Sequence, residues 1–225
     1  MRASKRPGLT RHLLIDTALR LLDEVGLEGL TVRRLAAELG VQSPALYWHI
    51  RTKQELLDGM ADRIVQDAGM GPPRQGEPWQ DWLARRARAY RASLLGHRDG
   101  ARIVASATHL EPATIRLFDE ELAAMTGHGF TPVLALRTIT AVTQYVNGFV
   151  LQEQAEHPQP APGTAADRVA ALEELLGEDA PGTLIAAYRE QGGAIGEQAF
   201  EHGLRALIDG TAAALTRETG EGSPG

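Results

Sequence analysis

TVRRLAAELGVQSPALYWHI, residues 31–50, decides how the rest of the chain is read. Thr31 supplies a capping hydroxyl ahead of the apolar positions Leu35 and Leu39, and Gly40 terminates that short helix. Ser43 followed by Pro44 is a second start signal, a capping hydroxyl and then a proline at the first helical position. The helix it opens carries Leu46, Tyr47, Trp48 and His49 and stops near Ile50-Arg51-Thr52. Two short helices joined by Leu39-Gly40-Val41 make a helix-turn-helix. The glycine permits a positive φ, Val41 points inward, and Ala36 is small enough for close approach. The free N–H groups and side chains at the start of the second helix then suit a major groove and its flanking phosphates.

Outward from this motif the pattern stays helical. Leu14, Ala18, Leu21, Leu22 and Val25 form one apolar stripe, opened near Thr10 and closed by Gly26. After the motif, Leu56, Leu57, Met60, Ile64 and Val65 line one side of a longer helix. GMGPPRQGEP, residues 69–78, reads as a linker. Beyond it, helices are expected at about 79–95, 100–108, 112–126, 131–156, 166–176, 181–191 and 196–217. The Pro-rich stretch 157–165 is expected to be mobile and the tail 218–225 disordered. Alternating β-branched runs are nearly absent, so the fold class is all-α: a helix-turn-helix three-helix head plus a C-terminal helical body. The expected divisions are a DNA-binding domain at 1–53, a connecting helix at 54–68 and a ligand-binding and dimerisation domain at 69–217.

Charge sharpens the division. The chain of 225 residues has a net charge of −6. Residues 1–53 hold nine Arg and Lys against five acids, a charge of +4, and the remainder holds 14 against 24, a charge of −10. A basic segment on an acidic body suits a small anion-binding module. The absence of cysteine excludes disulfides, a thiol nucleophile and Cys-ligated metal sites. No apolar run approaches the ~20 residues of a membrane span, and the basic start lacks the apolar core of a signal peptide. A cytoplasmic protein without a membrane partner is therefore expected.

LTRHLLIDTALRLLDEVGLEGLTVRRLAAELGVQSPALYWHIRTKQELLDGMA, residues 9–61, resembles the DNA-binding domain of the TetR family of transcriptional regulators, and LGVxxPALYWHIxxKxxLL is its specific signature. EPWQDW, LLGHRDGAR, HGFTP and LRTITAVTQYVNGFVLQEQ are similar to the tetracycline-repressor subgroup, so the likeness covers roughly residues 9–155. It implies a homodimeric repressor of double-stranded, roughly palindromic operator DNA, released by a small hydrophobic or aromatic effector. The apolar faces of 131–156 and 196–217 would then pair with their dimer mates; an intramolecular core would use the same stripe.

The resemblance assigns residue roles. Thr31 and Arg33 belong to the first helix of the motif; the Arg33 fork suits guanine O6 and N7, or else a phosphate. Gln42 and Ser43 precede the recognition helix, Ser43 as base contact or only as cap, while Pro44 and Ala45 offer apolar surface to a thymine methyl. Tyr47, His49 and Lys53 suit phosphates, and Trp48 either a phosphate or the core. Gln and Thr are typical of the subgroup where this chain has Ser43 and Ala45, so its operator should differ.

For the effector, the resemblance implies a site lined by Arg86, Tyr90, Val104, Ala107, Thr108, His109, Glu121, Ile139, Thr143, Gln144 and Asn147. The subgroup holds a magnesium–tetracycline chelate with two His and a Glu, and the matching positions here are Val104, Gln144 and Gln152. Val cannot ligate and Gln is a weak neutral donor, so no metal and no cofactor is expected. The Asn and Phe that hold the drug's rings correspond to Arg86 and Tyr90. Arg86 would pair with an anionic effector or make a surface ion pair. His97-Arg98-Asp99-Gly100 would relay a shift between body and head.

Two rival classes fail on sequence. His97-Arg98-Asp99 resembles a kinase catalytic loop only superficially, since no Gly-rich loop or Asp-Phe-Gly follows. There is no HExxH, P-loop or Gly-x-Ser-x-Gly, so an enzyme is not expected. An architectural DNA binder without an effector would not need so large a body; the alternative that stays open is a DNA-binding regulator of the same fold, repressor or activator, without a small-molecule inducer.

Overall fold

The computed structural model describes residues 9–155, 165–176, 182–191 and 195–221, and among these there is no strand. The Pro-rich stretch expected to be mobile lies outside the described residues except for Ala165, and the tail expected to be disordered except for 218–221; those exceptions are helical. The head comprises α1 (Arg11–Gly29), α2 (Val32–Glu38) and α3 (Ser43–Leu46). Helix α4 (Lys53–Asp67) leads to a body of α5 (Trp79–Leu95), α6 (Gly100–Ala105), α7 (Pro112–Gly127), α8 (Pro132–Ala155), α9 (Ala165–Leu176), α10 (Thr183–Gln191) and α11 (Glu197–Glu221).

Three threonine caps set the head. Thr10, Thr31 and Thr52 each accept the backbone N–H three residues on, from Leu13, Arg34 and Glu55 at 3.1, 3.2 and 3.0 Å. Ser43 differs from expectation. The residue before the helix is Gln42, and Ser43 and Pro44 occupy the first helical positions with no side-chain cap. A four-residue helix leaves little backbone to cap, and its position comes from Leu46, buried in the head core with Leu14, Leu22, Leu35 and Ile50. Gly26 breaks α1 at φ 71°, ψ 174°, after which one further turn runs to Gly29. That break is also a close approach, because a Cβ on Gly26 would sit 3.1 Å from Arg98 Nε.

Head and body meet along two seams. In the first, Asp99 adopts φ 60° and accepts the Leu27 N–H at 2.9 Å, while Asp23 accepts the Arg98 N–H at 2.9 Å and lies 3.2 Å from His97 Nδ1. Arg102 spans Asp99 and Glu28 at 3.1 and 2.7 Å. Gly100 is required there, since a Cβ would come within 2.3 Å of the Leu94 carbonyl.

In the second seam, buried Asp58 and Asp62 of α4 accept the N–H groups of Thr108 and Glu111 at 2.9 and 2.8 Å. These bonds explain why α6 ends at Ala105 rather than at the expected 108. Ser106 turns its hydroxyl back to Ile103 O, the Ala107 N–H tightens onto Val104 O at 3.2 Å, and the Thr108 N–H is taken by Asp58 of α4 instead of continuing a helical ladder.

The body core centres on Trp82, Leu83, Leu94, Val142, Val146 and Phe200, all essentially buried. Tyr145, Phe149 and Phe200 cluster where α8 meets α11, with Tyr145 stacked on Phe200 and Phe149 edge-on to Phe200, and the Tyr145 hydroxyl donates to Phe200 O at 2.9 Å. Of the expected α8 stripe, Ile139, Val142 and Val146 are buried within this chain, whereas Leu136 is exposed together with Val133.

Burial raises the Asp62 carboxyl above the ordinary range, against the Thr114 hydroxyl, the Glu111 N–H and nearby Arg11. A carboxyl raised in the folded state contributes stability at low pH that is lost as pH rises through the folded value. Asp62→Asn, which removes the buried charge, should therefore be more stable than the parent at pH 7, by about 1 kcal/mol. The gap should close towards pH 4, as followed by urea midpoints; a lower midpoint for the variant at pH 7 would refute this.

Candidate functional site

The basic head presents its side chains outward. Arg33 on α2, and Gln42, Pro44, Tyr47 and Trp48 around α3, are exposed, as is Lys53 at the first position of α4. Thr31 is exposed and spends its hydroxyl on the α2 cap. Ser43, Ala45 and His49 are half-buried along the same short segment. Trp48 is 90% exposed, so the core alternative for this residue falls away. An indole left almost wholly in water is unusual for so large an apolar group. Lys53 extends from a helix N-terminus where the Thr52 cap and Glu55, which accepts the Arg51 N–H at 2.8 Å, have fixed the backbone. Such an end adds partial positive charge to the ammonium and suits a phosphate.

The body holds a cavity of about 180 Å³ at the C-terminal end of α4, lined by Val65, Ala68, Met70, Arg86, Tyr90, Val104, Ala107, Leu110, Phe118 and Thr143. A neighbouring hollow of about 200 Å³ shares Phe118 and Thr143 and adds Leu122, Leu136, Ile139, Thr140 and Gln144. The two adjoin at Phe118 and Thr143, and each is mostly apolar with few polar groups, the usual character of a small-molecule pocket.

Seven of the expected lining residues are therefore brought together: Arg86, Tyr90, Val104, Ala107, Ile139, Thr143 and Gln144. Four sit elsewhere. Glu121 is fully buried behind Arg86, and Asn147 lies 3.4 Å from the Tyr90 hydroxyl as its acceptor. Thr108 and His109 line a different hollow in the α4 seam, where Thr108 is held by Asp58. Arg86 is not a surface ion pair. Its Nε donates to both Glu121 oxygens at 3.0 and 2.9 Å, with both side chains buried.

Burial raises the Glu121 carboxyl against the opposing pull of Arg86 and the Gly71 N–H. The same cause pushes the Tyr90 hydroxyl up to about 12, so it stays a neutral donor. Sequence reading missed Val65, Ala68, Met70, Leu110 and Phe118 in the first hollow and Leu122, Leu136 and Thr140 in the second; the apolar ones have a spacing indistinguishable from ordinary core.

With the head, the connecting helix and the cavity in place, comparison with known proteins becomes decisive. Residues 14–60 match the family model of bacterial regulatory proteins of the tetR family, and residues 72–215 that of the tetracyclin repressor-like C-terminal domain. The chain belongs to the TetR family. It is a DNA-binding transcriptional repressor of that family, with a ligand-binding C-terminal domain.

This TetR-family chain is 40% identical over 211 residues to the tetracycline repressor protein class D of Escherichia coli, covering 92% of this chain and 91% of the relative. A possible TetR-family transcriptional regulator from Streptomyces coelicolor superposes with TM-score 0.76 at 36% identity, over 91% of this chain and 99% of that one. TetR(class A) in complex with 5a,6-anhydrotetracycline and magnesium superposes with TM-score 0.65 at 33% identity, over 91% and 99%.

The magnesium of that last complex finds no matching donors here. Val104 faces the cavity as a hydrocarbon, Gln144 lines the neighbouring hollow, and Gln152 is exposed on α8 outside both hollows. Among the described residues no three His, Asp or Glu side chains come together to hold a metal ion. The side chains of Val104, Gln144 and Gln152 do not fit a resident cation at these positions.

If Tyr47 and Lys53 grip phosphates, Tyr47→Ala with Lys53→Ala will weaken binding to operator and to random DNA alike. The expected loss is about 10-fold or more at moderate salt, with a shallower salt slope. Unchanged binding to both, read by fluorescence anisotropy, rules the two residues out.

Proposed function

We propose that this repressor binds a roughly palindromic operator as a homodimer through α2, α3 and the start of α4, and that a small aromatic or polycyclic effector in the body cavity releases it. One observation carries the reading. Helix α4 exposes Lys53 beside the recognition segment at one end and contributes Val65, with Ala68 just beyond its last turn, to the cavity wall at the other. A ligand pressing on that wall acts on the same rigid helix that orients the head.

The linkage is thermodynamic. An effector that fits better when α4 is displaced favours that geometry, and DNA affinity falls by the same coupling. The seam bonds of Asp58, Asp62 and Asp99 tie any movement of α4 and α6 to α1. Arg33, Gln42, Ser43, Pro44 and Ala45 are the proposed readers of base edges, and Tyr47, Trp48, His49 and Lys53 the proposed contacts to phosphate.

For the homodimer, support comes from Val133 and Leu136 on α8, 56% and 54% exposed and three residues apart on one face. Apolar residues repeated along an exposed helix suit a packed helical interface. Two heads related by a two-fold axis require two inverted half-sites on one face of the duplex.

Light scattering and selection of bound genomic fragments test this together. The parent chain should run as a dimer and recover one sharp palindrome, whereas Leu136→Glu should shift towards monomer and lose at least 10-fold in operator affinity while remaining helical. A parent that is monomeric, or that recovers diffuse sequence, overturns the proposal.

A further inference from the structure

The polar wall of the cavity is one buried ion pair with an edge left over. Arg86 Nε spends its N–H on Glu121, and the Gly71 N–H donates to the same carboxylate at 3.1 Å. Glu121 is fully buried, so this side of the guanidinium is closed. The other side carries the four N–H bonds of Nη1 and Nη2. Among the described residues their hydrogen-bond contact is a single long bond from Nη1 to Thr143 Oγ1 at 3.5 Å. Phe118 supports the group from below, its ring centroid 5.7 Å from Arg86 Cζ. Arg86, Phe118 and Thr143 all line the cavity, so the donor edge is presented to whatever enters.

Two costs select the ligand. Glu121 already balances the charge of Arg86, and most of the remaining wall is aliphatic. An ion would enter without a counter-charge and lose its hydration. A cationic metal chelate would in addition face the guanidinium, with Val104, Gln144 and Gln152 offering it no anionic donor. A pure hydrocarbon fails differently, because it would bury the Nη donors unsatisfied. The Phe118 and Tyr90 rings favour an aromatic body between these limits.

We infer that the cavity takes an uncharged aromatic ligand without a metal ion, held by carbonyl or phenol oxygens that accept from the Nη edge of Arg86. The inference rests on the effector reading of this cavity and deepens it. Arg86 and Glu121 thereby form a neutral recognition pair in the region where the tetracycline-repressor pattern has its drug-holding Asn.

Calorimetry on the full-length chain tests it with four probes: an uncharged hydroxyanthraquinone, an anthraquinone carboxylate, tetracycline and naphthalene, each in magnesium and in EDTA. The hydroxyanthraquinone should bind equally in both buffers and at least 10-fold tighter than the carboxylate. Arg86→Met with Glu121→Met removes the pair without changing net charge. It should weaken the hydroxyanthraquinone at least 10-fold and naphthalene less than 3-fold. If that variant does not fold, Arg86→Lys keeps the charge and loses the fork, and should weaken the same probe. A magnesium requirement, a preference for the carboxylate, unchanged affinity in the variants, or no binding by any probe overturns the inference. Operator release is scored separately. Metal-free binding without release leaves the inference standing and sinks the effector reading, while release that needs magnesium does the reverse.

Discussion

Helix α4 is buried on several flanks at once, and the rest of the molecule is arranged around that constraint. It packs against α1 in the head and against α5, α6 and α7 in the body. Leu56, Met60, Ala61, Ile64 and Val65 are all withdrawn from water along its length. With only its ends, Leu57 and Arg63 reaching water, the buried length of this helix has little room for local adjustment, because close-packed interiors shift as units rather than deform smoothly. Its polar residues are bound too: Gln54, Asp58, Asp62 and Gln66 reach Ser106 O, Thr108, Glu111 and Thr114 in turn. The helix is therefore laced to the α6–α7 segment almost turn by turn.

That lacing gives the carboxylates unequal environments. Burial alone would raise the Asp58 carboxyl, but the Thr108 N–H and hydroxyl and the Gln54 amide outweigh it and hold it low. One turn later Asp62 has the Glu111 charge beside it, and burial prevails. Two acids on the same helix are thus shifted in opposite directions, by unequal hydrogen-bond supply and by the Glu111 charge. On the linker, Arg85 and the Arg74 N–H hold Glu77 down to about 2. Glu77 accepts bonds from Arg85 at 2.7 and 2.8 Å and so anchors the start of α5, from which Arg86 and Tyr90 project.

Much of the fold was legible because it is written in local chemistry. Thr10 and Thr31 each stand one residue before a helix, and Gly26 and Gly40 stand where positive φ is needed. The head was also marked by charge, since a +4 segment stands out against a −10 remainder even when the total is −6. Local rules failed at the C-terminal end of α6. Nothing in Ala105-Ser106-Ala107 forbids a helix, and the stop comes from Asp58, some fifty residues earlier. The Ser43 hydroxyl misled in the opposite sense, as a strong capping residue placed just inside the helix it was expected to cap.

The sequence by itself determined the all-α class and the helix-turn-helix. Each depends on residue type at short range or at a fixed motif position. Only the tertiary structure decided that Arg86 is paired with Glu121, that Trp48 stands in water, and that Thr108 and His109 belong to the α4 seam rather than to the cavity. Those facts depend on which surfaces meet across 35 to 50 positions of chain, as between Arg86 and Glu121 or Asp58 and Thr108. An apolar period of 3.6 says that a face is covered without saying by what. Covering it with a second helix, a partner or a ligand costs the unfolded chain different entropy but leaves the same stripe in the sequence.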